Sequence, residues 1–157
     1  MIVVADTSPL NYLALIGEIE LLAALYETVL IPEEVHQELL RDQAPPAVRM
    51  WAASLPAWCK VRSVNPSADP VLSELDPGER DAILLALESG IDTLLIDEIS
   101  GRREAARHRL HVVGTVALLE KAAQRGLIDF RKAFQRLEQT NFRLATAIRE
   151  EFLRRNP

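Results

Sequence analysis

Two apolar runs in this chain each end in an aspartate: Ile2-Val3-Val4-Ala5 runs into Asp6, and Leu94-Leu95-Ile96 runs into Asp97. A short, continuous apolar run bounded by polar or capping residues reads as a strand covered on both faces, and such strands belong to parallel sheets flanked by helices. In open sheets of that kind ligands bind beyond the carboxyl ends of the strands. Asp6 and Asp97 therefore stand where a site would be built, at one edge of the sheet. Two carboxylates converging there repel, and a hard divalent cation that prefers oxygen ligands relieves the repulsion.

The rest of the chain supplies the alternation that such a sheet needs. Asp6-Thr7-Ser8-Pro9 is helix-start chemistry, with Thr7 or Ser8 as cap and Pro9 suited to the first helical position. Leu10, Leu13, Ala14 and Ile16 recur at helical spacing up to Gly17, and Ile19, Leu21, Leu22 and Leu25 mark a second short helix. Residues 28–31 read as a strand and 32–41 as a helix. Pro45 and Pro46 break the chain before a helical stretch containing Trp51, and 61–64 reads as a short strand. The run Asn65-Pro66-Ser67-Ala68-Asp69-Pro70 is a loop. Asp76-Pro77-Gly78-Glu79 opens an apolar helix that stops at Gly90; a strand over 93–96, a basic helix over 100–109, a strand over 111–113 and helices near 116–125, 130–139 and 144–153 follow. The expected fold class is α/β, three-layered, with a central parallel sheet of four to five strands flanked by helices and with extra C-terminal helices. Its 157 residues suit a single domain over 1–157, of which 116–157 is a C-terminal helical extension.

Composition removes several classes of function. With 48% hydrophobic and 26% charged residues the chain is an ordinary globular protein. One cysteine, Cys59, allows neither an internal disulfide nor a thiolate zinc site. A net charge of −5 argues against coating nucleic acid by general electrostatics, so any such contact must come from a local basic patch. The N-terminus lacks the basic head and cleavage site of a signal peptide, and no apolar run is long enough to span a bilayer; a cytoplasmic location is expected.

Two further acids can join the strand-end aspartates. Glu38 lies on the helix after the second strand, and Asp81 lies near the start of the helix before the Asp97 strand, with Glu79 and Glu98 as neighbouring alternatives. Residues two apart on a helix point to different faces, so Glu79 and Asp81 do not serve one ion equally. Asp81 is preferred, because Asp76 and Glu79 are spaced as a capping box that would engage Glu79 with the backbone, and because Asp81 shares a face with Leu84 and Leu85. His36, His108 and His111 have no ligand spacing, and neither a Gly-rich phosphate loop nor a nucleophile elbow occurs.

With these residues assembled the chain resembles the PIN-domain family of nucleases, and within it a prokaryotic branch allied to toxins of toxin–antitoxin pairs. The resemblance spans nearly the whole chain. It rests on Val4-Ala5-Asp6-Thr7-Ser8-Pro9-Leu10, on Ile31-Pro32-Glu33-Glu34-Val35 running to Glu38-Leu39, on Gly78-Glu79-Arg80-Asp81-Ala82-Ile83 with Leu85-Ala86, on Leu95-Ile96-Asp97-Glu98 with Gly101-Arg102, and on Val113-Gly114-Thr115. It implies a PIN-like sheet with an acidic pocket in which Asp6, Glu38 and Asp81 stand where the family's metal-binding acids stand. The fourth acid is either Asp97 or Glu98, since the family usually ends this strand with Thr or Ser followed two residues later by Asp, whereas here Ile96, Asp97 and Glu98 stand in its place. Thr7 and Ser8 resemble substrate-contacting residues.

The activity implied is Mg2+- or Mn2+-dependent hydrolysis of single-stranded RNA, with Asp6, Glu38, Asp81 and Asp97 as the catalytic acids and the ion activating water and stabilising charge on the phosphate. Arg102 and Arg103, directly after the acidic strand end, are placed to position phosphates. The implied partners are an RNA substrate, a cognate antitoxin and a second copy of the chain. The competing reading is a non-catalytic PIN-like module that binds RNA or protein without cleaving it.

Overall fold

The computed structural model describes residues 1–67 and 69–157; Ala68, in the middle of the expected loop over 65–70, lies outside them. In chain order the elements are β1 Ile2–Ala5, α1 Thr7–Leu15, α2 Leu21–Leu25, β2 Thr28–Pro32, α3 Glu33–Leu40, α4 Pro46–Ala53, β3 Cys59–Arg62, α5 Pro70–Ser73, α6 Pro77–Ser89, β4 Thr93–Leu95, α7 Ile99–Arg107, β5 His111–Val113, α8 Thr115–Gln124, α9 Phe130–Glu138 and α10 Thr146–Arg155. All strand pairs are parallel, in the order β3-β2-β1-β4-β5. The architecture is thus α/β, a central five-stranded parallel sheet flanked by helices and PIN-like in arrangement.

Alternation along the strands divides the core into two layers. Val3 and Ala5 of β1 and Leu95 of β4 turn to one face, where they meet Leu10, Leu13, Leu118, Phe134 and their neighbours. Val4, Leu94 and Ile96 turn to the other face, against the α6 residues Ala82, Ile83 and Leu85. The order reverses at β1, which lies between β2 and β4, so the crevice at this topological switch point opens beyond the ends of β1 and β4.

Several boundaries depart from the sequence expectation. The third strand is Cys59–Arg62, earlier than 61–64, because pairing with Val29 through Pro32 sets its register. A four-residue helix, α5, stands at the end of the expected loop, capped by Asp69, whose side chain accepts from the Val71 N–H. Asp6, and neither Thr7 nor Ser8, occupies the N-cap position of α1, and Pro9 falls a residue or two inside the helix. Gly90 closes α6 in the left-handed conformation, as its place after Ser89 predicts.

Candidate metal centre

Asp6 leaves β1 on the face that Val4 occupies, towards α6. Its backbone N–H donates to the Leu95 carbonyl at 2.9 Å, which fixes the turn out of the sheet. The residue is only 3% exposed, and Oδ1 is buried with no hydrogen-bond partner among the described residues. Burial pushes its pKa up to about 8, and the charges of Glu79, Glu38 and Asp76 push the same way against a hydrogen bond from the Thr7 backbone. A buried carboxylate oxygen with nothing to bind is costly unless something supplies a positive charge or a proton.

Glu38 reaches the same place from α3. Thr7, the residue after Asp6, donates its hydroxyl to Glu38 Oε2 at 2.5 Å. Burial raises the Glu38 pKa and the Asp76 charge adds to this, while the Thr7 hydrogen bond and Arg41 oppose it. The fit around this carboxylate is close: a Cβ on Gly78 would fall 2.6 Å from Glu38 Oε1. The glycine before Glu79 is there because Glu38 occupies the space that a side chain would take.

Glu79 is the third acid of the group. It is 7% exposed, and its pKa is raised to about 7, by burial first and then by the charges of Asp76 and Glu98. The expected capping box is only half formed. Asp76 does cap α6, accepting from the Gly78 N–H at 2.8 Å and the Glu79 N–H at 3.4 Å, but the Glu79 carboxylate turns away from the backbone and accepts from Ser100 Oγ at 3.5 Å. The premise that set Glu79 aside therefore fails. Asp81 instead lies against its neighbour: Arg80 Nε donates to its Oδ1 at 2.8 Å, and its side chain is 21% exposed. Asp81 is not among the charges that raise the Asp6, Glu38 or Glu79 pKa.

Asp97 stands on the other side of the sheet. Val4 pairs with Leu94 and Ala5 with Leu95, so Asp6 is level with Ile96 and shares its face; Asp97, one residue later, turns to the opposite one. There its carboxylate accepts from the Thr115 N–H at 2.8 Å and the Thr115 hydroxyl at 2.7 Å, tying the end of β4 to the start of α8. Arg102 Nη1 donates to the Ile96 carbonyl at 3.1 Å. A Cβ on Gly114 would lie 2.9 Å from that Arg102 nitrogen and 3.0 Å from Asp97 Oδ1, so a side chain there would displace one of them. Glu98 and Arg103 are exposed. The structure thus brings together Asp6, Glu38 and Glu79 with Asp76 behind them, holds Thr7 on Glu38, turns Asp97 towards α8, and ties Arg102, on the helix that packs beside α6, to the end of β4.

The donor set is all hard oxygen, the chemistry that Mg2+ and Mn2+ prefer. Among the described residues no three histidine, cysteine or carboxylate side chains are oriented to hold an ion as they stand. Glu38 is turned to Thr7 and Glu79 to Ser100, but the charges of both act on Asp6, whose buried Oδ1 has no hydrogen-bond partner among the described residues. The residues fit a divalent cation on that basis.

A parallel α/β sheet whose crevice gathers carboxylates from the end of its central strand and from two flanking helices defines a class of PIN-like domains. The family model described as DUF3368, a PIN domain, matches residues 2–156, and the chain belongs to that family. PIN domains are typically nucleases, and they generally use divalent metal ions. No curated protein and no solved structure gives a significant match to the chain. No described helix is long and apolar enough to cross a membrane.

Proposed function

We propose that the protein is a metal-dependent ribonuclease that hydrolyses phosphodiester bonds of single-stranded RNA, acting as an endonuclease in the cytoplasm with Mg2+ or Mn2+. The observation that carries the reading is the buried Oδ1 of Asp6, without a hydrogen-bond partner among the described residues, under the charges of the buried Glu79 and the half-buried Glu38. Asp6, Glu38 and Glu79 would hold the ion, which supplies Lewis-acid chemistry, making water acidic enough to attack near neutral pH and neutralising charge on a phosphoryl oxygen.

The chain's own residues prepare that chemistry. Thr7 holds Glu38 at the mouth of the site, and Asp76 anchors the first turn of α6 so that Glu79 points into it. Ser8, next to Thr7, and Arg102, next to the Gly101 that packs against Glu79, would steer the phosphates of the strand, with the exposed Arg103 assisting. Asp97 acts by holding β4 against α8, Asp81 is engaged with Arg80, and Glu98 flanks the group through its charge on Glu79.

Asp6→Asn and Glu79→Gln are expected to abolish manganese-dependent cleavage of a single-stranded RNA while leaving the circular dichroism spectrum unchanged; an active, folded Asp6→Asn protein would end this assignment. Calorimetric titration with manganese separates it from the non-catalytic alternative, which is favoured by the engagement of Asp97 with Thr115 and predicts no saturable binding. The resemblance in sequence also supports a role as the toxin of a type II pair, with a cognate antitoxin and a homodimer as partners. Light scattering behind size exclusion would read the dimer directly, and a monomer at high concentration would remove it.

A further inference from the structure

A cleft of about 510 Å³ opens at the strand-end edge of the sheet, between α1, the starts of α7 and α8 and the C-terminal segment, with Tyr12, Phe142, Phe152, Glu98, Arg102 and Arg143 in its walls. Its size is that of a small-molecule site. Three features set its chemistry. Tyr12 and Phe142 meet edge to face at 5.0 Å, and the Tyr12 hydroxyl donates to Asn141 Oδ1 at 2.8 Å, so the aromatic wall is held rigid. Arg102 and Arg143 donate to backbone carbonyls and, among the described residues, to no carboxylate. Glu98 is exposed and makes no side-chain hydrogen bond among the described residues, so its oxygens are acceptors in waiting. Ile99 and Ile148, two of the most exposed large apolar residues, also border the cleft, at 68% and 49% exposure.

An aromatic wall, guanidinium groups free of acids and an unengaged carboxylate match, in turn, the ring of a nucleobase, the phosphates beside it and the N–H donors on its edge. The cleft also joins the acid cluster through two shared elements. The first turn of α1 sends Thr7 to Glu38 and Ser8 to the cleft, and Glu98 lines the cleft while its charge acts on Glu79.

We propose that this cleft is the subsite for one unpaired nucleobase of the RNA strand, the base next to the phosphate at the acid cluster, stacked on the Tyr12–Phe142 wall. The assignment rests on reading the acid cluster as a phosphodiesterase centre. It gives the enzyme a position-specific grip on its substrate in spite of the chain's acidic balance: one base is bound by stacking, and only the two nearest phosphates need a cation.

The test uses a fluorescein-labelled 2′-O-methyl hexaribonucleotide and six versions of it, each abasic at one position. Binding to the full-length protein is measured by anisotropy in calcium, with the probe verified intact on a gel. Stacking on an aromatic side chain is worth about 1–3 kcal/mol per base. A single abasic position should therefore weaken binding by roughly tenfold while the others change it little, and Tyr12→Leu or Phe142→Leu should weaken the intact probe and flatten the profile. An even profile in the wild type, or a profile that both variants leave unchanged, overturns the subsite. An even profile together with normal manganese-dependent cleavage would assign the cleft to a protein partner instead. A stepped profile in a protein that never cleaves RNA keeps the subsite and removes the nuclease reading, so the two failures are distinguishable. The abasic series needs no mutation and so does not depend on how well either variant folds.

Discussion

At the scale of single residues, the acid group is held in a state of mutual repulsion that only a proton or a cation relieves. Asp6 has its pKa raised to about 8 and Glu79 to about 7, in both cases by burial before any neighbouring charge. A carboxyl group whose folded pKa lies above its unfolded value contributes stability below the unfolded pKa and loses it as the pH rises through the folded one. The metal-free protein should therefore lose stability between about pH 4 and pH 8. Its Tm at pH 8 should fall below that at pH 5.5 by roughly 5 °C, since about 1 kcal/mol shifts a domain of this size by 2–4 °C, and manganese should restore it. Asp6→Asn should raise the metal-free Tm at pH 8 and cancel the response to manganese; a Tm independent of pH over this range would count against the repulsion. Gly78 offers a second check. Gly→Ala in a helix ordinarily stabilises, but here the added Cβ meets Glu38 Oε1 at 2.6 Å. Gly78→Ala should instead push the Glu38 carboxylate aside, which forfeits most of that gain and weakens manganese binding, both readable by denaturation and calorimetry. Asp6 and Glu38 were legible from position alone, one after an apolar strand and one on the next helix. The partnership of Gly78 with Glu38 was not, because two residues forty positions apart meet only once β1 and β2 lie side by side.

At the scale of elements, the periodicity of the chain was enough to give the strands and their direction, while the face on which each strand-end acid emerges depended on register. Asp6 and Asp97 look equivalent in sequence, each directly after an apolar run. The pairing of Ala5 with Leu95 makes Asp97 one residue late, and a shift of one residue reverses the face. The choice between Asp81 and Glu79 turned on capping geometry in the same way: Asp76 alone caps α6, which leaves the Glu79 carboxylate available. The junction of β4 with α8 follows from the late position of Asp97. Thr115 is fully buried and gives both its N–H and its hydroxyl to Asp97. Thr115→Val keeps the volume and removes the hydroxyl, leaving a carboxylate oxygen with one partner fewer. The variant should lose about 1–3 kcal/mol in urea denaturation with manganese affinity within twofold of wild type. A large loss of affinity would mean that Asp97 belongs with the ligands after all.

At the scale of the whole molecule, the C-terminal segment closes the cleft without belonging to the core. α10 contains no buried residue, and what holds it is mostly polar. Arg155 forks onto Glu120, with Nε at 3.1 Å and Nη2 at 3.0 Å, Asn156 Nδ2 donates to the same carboxylate at 2.7 Å, and Arg149 pairs with Glu138. Burial works against the charge on Glu120, yet the hydrogen bonds from Arg155 and Asn156 hold its pKa below the ordinary carboxylate value. The apolar contribution comes from Phe152 and Leu153, half-buried against the core, with Phe152 stacked on Phe130 at 6.4 Å between centroids. An element held this way opens at a small fraction of the global free energy and exchanges its amide hydrogens first. The acid cluster, in contrast, is built from the ends of β1, α3 and α6, none of which contains a residue beyond Ser89. Deleting residues 145–157 should therefore separate the two halves of the proposed site. The sheet should remain folded, with Tm lowered by only about 5 °C, roughly the 1–2 kcal/mol expected for polar contacts and one ring stack. Manganese affinity should stay within twofold, while the oligonucleotide loses the position-dependent part of its binding together with the cleft wall that Phe152 provides. Loss of manganese binding in a deletion that still gives the wild-type circular dichroism spectrum would contradict this division, because it would require the C-terminal helix to act on carboxylates that it does not touch.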